Sequence, residues 1–185
     1  MKSRKTKKLR ADKHGQFGFF KRSPPDHGGV LRRKLSGRGS RPLAIKHSMH
    51  LVLRSSLATG ELSFRKGRNE RKIISIIKKF SQTHSVRIIS FANVGNHLHL
   101  HIQLGSRLGY KAFIRAITGA IALAIRPTSR FKKCATKFWD ERPFTRIVQG
   151  FNDQLRLGNY IRINALEGFG VSRAQAKIYL ALSTA

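Results

Sequence analysis

Val94-Gly95-Asn96-His97-Leu98-His99-Leu100-His101-Ile102-Gln103-Leu104 is the stretch on which the fold of this chain turns. From Leu98 the even positions are apolar and the odd positions are polar, three of them histidine. Period-two alternation is the pattern of a half-buried strand: one face enters a core and the other carries a row of imidazoles. Residues two apart on a strand point the same way, roughly 6 to 7 Å apart along the chain. Such imidazoles can converge on a divalent metal or a phosphate if a third group closes the site. The bland alternative is a polar strand face that carries histidines without using them.

Working outward, Leu43 to Arg54 alternates as a first strand, with Leu43, Ile45, Met49, Leu51 and Leu53 on one side. His47 falls on that apolar side and His50 on the other, and both read as ordinary strand residues. Asn69 to about Phe80 carries the helical stripe Ile73, Ile74, Ile76, Ile77 and Phe80, with Lys and Arg opposite. Val86 to Val94 is apolar on both faces, as expected of a central strand. Gly95-Asn96 supplies a hairpin turn into the histidine strand. Leu108 to Ile125 reads as a second helix that Pro127 ends. Phe144 to Val148 reads as a short strand, and a third helix runs from Gly150–Asn152 to about Leu166, closed by Gly168. A last helix follows Ser172, a natural N-cap. The expected fold is therefore an α+β sandwich: about four antiparallel strands, helices over one face, and the histidine face open to substrate.

Charge is the extreme feature of the composition. There are 38 Lys and Arg against 8 Asp and Glu in 185 residues, a formal net charge of +30. Such a chain seeks polyanions, nucleic acid first among them. An anionic membrane is the competing partner, but Ala116 to Ile125, the longest strongly apolar helical run, is too short to span a bilayer. The basic N-terminus has no apolar region after it and does not read as a signal peptide. The single Cys134 excludes an internal disulfide framework and a Cys-based zinc site, and suits a reducing cytoplasm, in which a DNA-binding protein would be nucleoid-associated.

Residues 1–41 read as a mostly disordered basic arm, 42–168 as the folded domain and 169–185 as a C-terminal helix. The expected backbone contacts are Lys2, Arg4, Lys5, Lys7, Lys8, Arg32, Arg33 and Lys34 in the arm, with Arg130, Lys132 and Lys133 in a basic loop. Between Arg71 and Trp139 there is no carboxylate, which disfavours a nuclease clamping two metals with several acids. A cutting enzyme built from these residues would use histidines, one metal and a side-chain nucleophile. Tyr160 and Asn164, four apart, share a face of the third helix. A metal polarising a phosphate can make a phenol an adequate nucleophile, and an amide oxygen is a reasonable hard ligand.

These residues together resemble the single-tyrosine HUH transposases, and within them the REP-associated tyrosine transposases. The family strand Asn-His-hydrophobic-His-hydrophobic matches Asn96-His97-Leu98-His99-Leu100, the Phe-Trp pair matches Phe138-Trp139, and Tyr-Ile-x-x-Asn matches Tyr160 to Asn164. The likeness spans about residues 42–168. Gly95 replaces the family's proline before the motif Asn, and Ala165 the proline after Asn164. The resemblance implies an HUH-endonuclease-type sandwich in which His97, His99 and Asn164 hold Mg²⁺ or Mn²⁺. It implies that Tyr160 attacks single-stranded or hairpin DNA, leaving a 5′-phosphotyrosine link and a free 3′-OH. Monomer and homodimer both fit. A domesticated binding module that no longer cuts, and a basic RNA-binding protein, are the competing readings.

Overall fold

A computed structural model describes residues 42–126 and 136–183. The arm at 1–41, the DNA-contact residues expected there, and Arg130, Lys132 and Lys133 of the loop lie outside the described residues. The chain runs β1 (Met49–Arg54), α1 (Gly67–Thr83), β2 (Val86–Asn93), β3 (His97–Leu104), α2 (Arg107–Ile125), β4 (Phe144–Ile147), α3 (Gly150–Gly168) and α4 (Arg173–Leu182). The strands form one antiparallel sheet in the order β2-β3-β1-β4. The α+β class expected from the alternation is the class observed.

Leu98, Leu100, Ile102 and Leu104 of β3 point to the same face as Met49, Leu51 and Leu53 of β1, and all are buried. They meet Ile73 and Ile77 of α1 and Phe113, Ile117 and Ile121 of α2 in the main core. Among the described residues α2 alone is long and apolar enough to cross a bilayer. Its stripe of Tyr110, Phe113, Ile117, Ile121 and Ile125 is instead buried within the protein. Phe138 packs beside Phe64, and Trp139 Nε1 donates to the Thr118 carbonyl at 2.9 Å, so the Phe-Trp pair ties the returning chain to α2. Asp140 then receives the Ser56 amide and hydroxyl at 2.7 and 2.8 Å, fixing that segment to the end of β1.

Three expectations change. The first strand begins at Met49 rather than Leu43, because its register pairs Met49 with Ile102 and β3 ends two residues later. Upstream, the Ile45 and Leu43 carbonyls accept from the Gln103 and Arg107 side chains instead of a ladder. Second, β2 is an edge strand: a register shift between Ile88 and Ser90 turns Ile89 outward, 44% exposed. Third, the histidine face is not open along its length. A smaller core of Ala92, Val148, Leu157 and Ile161 docks α3 over it.

The turn into β3 is held by Asn93, which accepts from the Gly95 amide and donates to the Phe64 carbonyl. Gly95 has φ +102°, which proline cannot adopt. Phe113→Ala would remove a fully buried ring between α2 and the sheet. It is expected to cost about 3–5 kcal/mol in urea unfolding, with the fold retained.

Candidate active site

The two faces of the sheet follow from one register. His50 of β1 lies opposite His101 of β3, Val52 opposite His99 and Arg54 opposite His97. The polar positions of both strands therefore share the face under α3. His99 is 3% exposed and His101 also buried, while His97 is half-buried toward the end of the strand.

The imidazoles contact one another. His97 and His99 have ring centroids 4.8 Å apart, and His50 stacks on His99 at 5.3 Å. His50 Nε2 lies 3.1 Å from His99 Nδ1, and His97 Nδ1 lies 2.6 Å from the Asn96 side-chain oxygen. That oxygen can only accept, so His97 donates from Nδ1 and carries its lone pair on Nε2. On His99 the Nε2 is buried with no hydrogen-bond partner among the described residues. In the tautomer in which His99 Nδ1 donates to His50, Nε2 carries a free lone pair. His101, by contrast, hydrogen-bonds through Nε2 to the Ser48 hydroxyl at 2.7 Å and is committed to the packing.

α3 supplies the remaining groups. Leu157, Ile161 and Asn164 form its buried stripe, and Tyr160 flanks that stripe at 37% exposure. The Tyr160 ring stands edge-on to His99, centroids 5.3 Å apart and planes at 88°, and reaches His50 at 5.8 Å. Asn164 Nδ2 donates to the Tyr160 carbonyl at 2.7 Å, which leaves the amide oxygen as the end able to meet a cation. The helix is pressed down at its far end. A Cβ on Gly168 would come within 2.6 Å of the Asn93 carbonyl, and Arg65 packs on Phe169 at 4.0 Å while donating to that carbonyl.

Electrostatics keep the imidazoles neutral. Burial first, then Arg146 and His101, lower His50 to about 4. Burial, then His50 and His97, lower His99 to about 3. His97 is lowered by burial and Arg54, against an opposing pull from Glu167. Neutral imidazoles with free Nε2 lone pairs are what a divalent ion requires. Among the described residues no three His, Cys, Asp or Glu converge as a metal cluster. An ion at His97 and His99 would therefore draw on the Asn164 amide or on solvent.

His50 is the participant that sequence reasoning misses. Its parity within β1 places it opposite Leu51, but only the cross-strand register puts it against His99. His47, also left out of the site, is exposed at the surface.

A family model described as transposase IS200 like matches residues 45–164. The chain belongs to the IS200-like transposase family. No curated protein matches the chain. Its fold is that of a REP-associated tyrosine transposase solved bound to a REP hairpin: TM-score 0.52 and 14% identity, over 71% of this chain and 73% of that one. A Deinococcus radiodurans R1 protein described as a transposase aligns with TM-score 0.44 and 12% identity, over 68% of this chain and 95% of that one. For this IS200-like transposase, transposition is the activity class.

The buried histidines make the protein acid-sensitive. As pH falls below 6.5 the unfolded chain takes up protons that His50 and His99 refuse in the folded state. Their contribution is complete above about 6.5 and is lost progressively down to about 4 and about 3 respectively. Thermal melts from pH 7.5 to 4.5 should therefore show a falling Tm, and His50→Gln should make that fall shallower. An unchanged pH slope in the variant would remove His50 from the titrating set.

Proposed function

We propose that this IS200-like transposase cleaves and rejoins single-stranded DNA through a covalent link to Tyr160, assisted by a divalent ion at His97, His99 and Asn164. The observation that carries the reading is the Tyr160 ring set edge-on against His99, whose buried Nε2 has no partner among the described residues. Bound there, Mg²⁺ or Mn²⁺ would polarise the scissile phosphate; two imidazole nitrogens and one amide oxygen favour the softer Mn²⁺. His97 and His99 present their Nε2 lone pairs because Asn96 and His50 engage the opposite nitrogens. Tyr160 Oη attacks phosphorus, a P–Oη bond forms, and the bond from phosphorus to the 3′-oxygen breaks. The phenolic proton passes to water and the departing 3′-oxygen gains one, leaving a free 3′-OH and a 5′-phosphotyrosine. Reversal with another 3′-OH rejoins the strand.

The solved relative bound to a REP hairpin supports hairpin-containing DNA as the substrate class. The cations at 1–41, with Arg130, Lys132 and Lys133, would grip the backbone without reading bases.

Incubation with labelled single-stranded DNA and Mn²⁺, then a denaturing gel, should give a covalent protein–DNA band. Tyr160→Phe should abolish the band while leaving the fold intact, and Tyr179→Phe should keep it. His97→Ala and His99→Ala should each lose cleavage but retain most DNA affinity. A band that persists in Tyr160→Phe would exclude the assigned nucleophile. Deleting residues 1–40 should weaken binding to all sequences alike and flatten the salt dependence, by about 0.7 in log-log slope for each phosphate no longer neutralised. An unchanged slope would take the arm off the backbone.

A further inference from the structure

Beside Tyr160 the histidine face continues into a cleft of about 480 Å³ between β4 and the first turns of α3. Its walls are His50, Phe144, Arg146, Asp153, Arg156 and Tyr160, with Leu157 behind. On β4, Phe144 and Arg146 lie opposite Val52 and His50, so both share the face of the histidines. Phe144 meets the edge of His50 at 6.1 Å, and His50 in turn meets Tyr160. The cleft thus leads from the free edge of the sheet to the tyrosine.

Its charge is arranged rather than scattered. Arg146 Nη1 donates to both Asp153 oxygens at 2.9 Å, and Asp153 is held in turn by the Gln149 amide at 3.1 Å. That pair joins β4 to α3 and fixes the guanidinium in one orientation, with Nε and Nη2 left to meet a ligand. Arg156 stands one turn further along α3, exposed. An aromatic ring, a fixed guanidinium and a second, exposed one, in a space within the roughly 300–1,000 Å³ range of small-ligand sites, fit one nucleotide of an extended strand.

We infer that this cleft is a nucleotide subsite of the strand being cut, in which Phe144 stacks on the base adjoining the scissile phosphate and Arg146 and Arg156 hold the next phosphate. The inference rests on Tyr160 being the nucleophile, since that fixes which nucleotide lies beside it. Asp153 is a positioning residue: it touches Arg146, not the DNA.

The test couples protein changes to changes in the strand. The rate of covalent adduct formation is measured with Mn²⁺ on strands carrying one abasic site, scanned across the positions flanking the cut. With the unaltered protein, one adjoining abasic position should slow the reaction about tenfold, and Phe144→Leu should show the slow rate already with no further loss at that position. Independently, a neutral methylphosphonate at the next phosphate should slow the unaltered protein more than Arg156→Gln, an exposed change that spares folding and leaves only Arg146 on that phosphate. Equal penalties in protein and variant for both modifications would overturn the subsite while leaving the nucleophile in place. No adduct from the unaltered protein on the unmodified strand would overturn the functional reading itself, and the subsite with it.

Discussion

A slip of one residue in the pairing of β3 with β1 would exchange Leu98, Leu100 and Ile102 for His97, His99 and His101 in the main core. Period-two strands allow no intermediate arrangement, so the register is enforced by every apolar side chain on the α1–α2 face. The same register that buries the leucines aligns His50, His99 and His101 beneath α3. Packing on one face of the sheet thus sets the chemistry on the other, and neither can shift without the other.

Once the register is fixed, burial does two things to the histidines. It withdraws them from water, which lowers their proton affinity and keeps them uncharged. It also forces their ring nitrogens to find partners, and the partners present are asymmetric: Asn96 takes Nδ1 of His97, and His50 takes Nδ1 of His99. The nitrogens left over are the two Nε2 atoms, and that of His99 is buried with no hydrogen-bond partner among the described residues. Because α3 docks through Val148, Ala92, Leu157 and Ile161, and is pinned at Gly168, Tyr160 is held beside the imidazoles by the helix rather than by a loop. The nucleophile proposed here would thus need less reorganisation before it reacts.

How much of this is legible in the sequence depends on whether a signal is local. The alternation of β3 is written in consecutive residues and identifies both the strand and its two faces. The spacing of Tyr160 and Asn164 puts them on one helical face for the same reason, as Ser172 marks the start of α4 through its capping pair with Gln175. The edge position of β2 is not legible, because an apolar strand looks central until its neighbours are known, and the bulge that exposes Ile89 has no local sign. His50 escapes on the same ground: its partner His99 is 49 residues away, and only the ladder joins them. Arg146 and Asp153 likewise become a pair only when β4 and the start of α3 are folded against each other. The resemblance to a known family adds expectations that no residue pattern could, the polarity of cleavage and single-stranded or hairpin DNA as the substrate.

The central claim is that Tyr160 is the residue that becomes joined to DNA. After reaction with an oligonucleotide and Mn²⁺, nuclease trimming and proteolysis, mass spectrometry can locate the nucleotide remnant on the chain. The account predicts a 5′-phosphate remnant on the peptide containing Tyr160, with fragmentation placing it on the phenolic oxygen. A remnant on Tyr110, Tyr179, or any serine or histidine would contradict it.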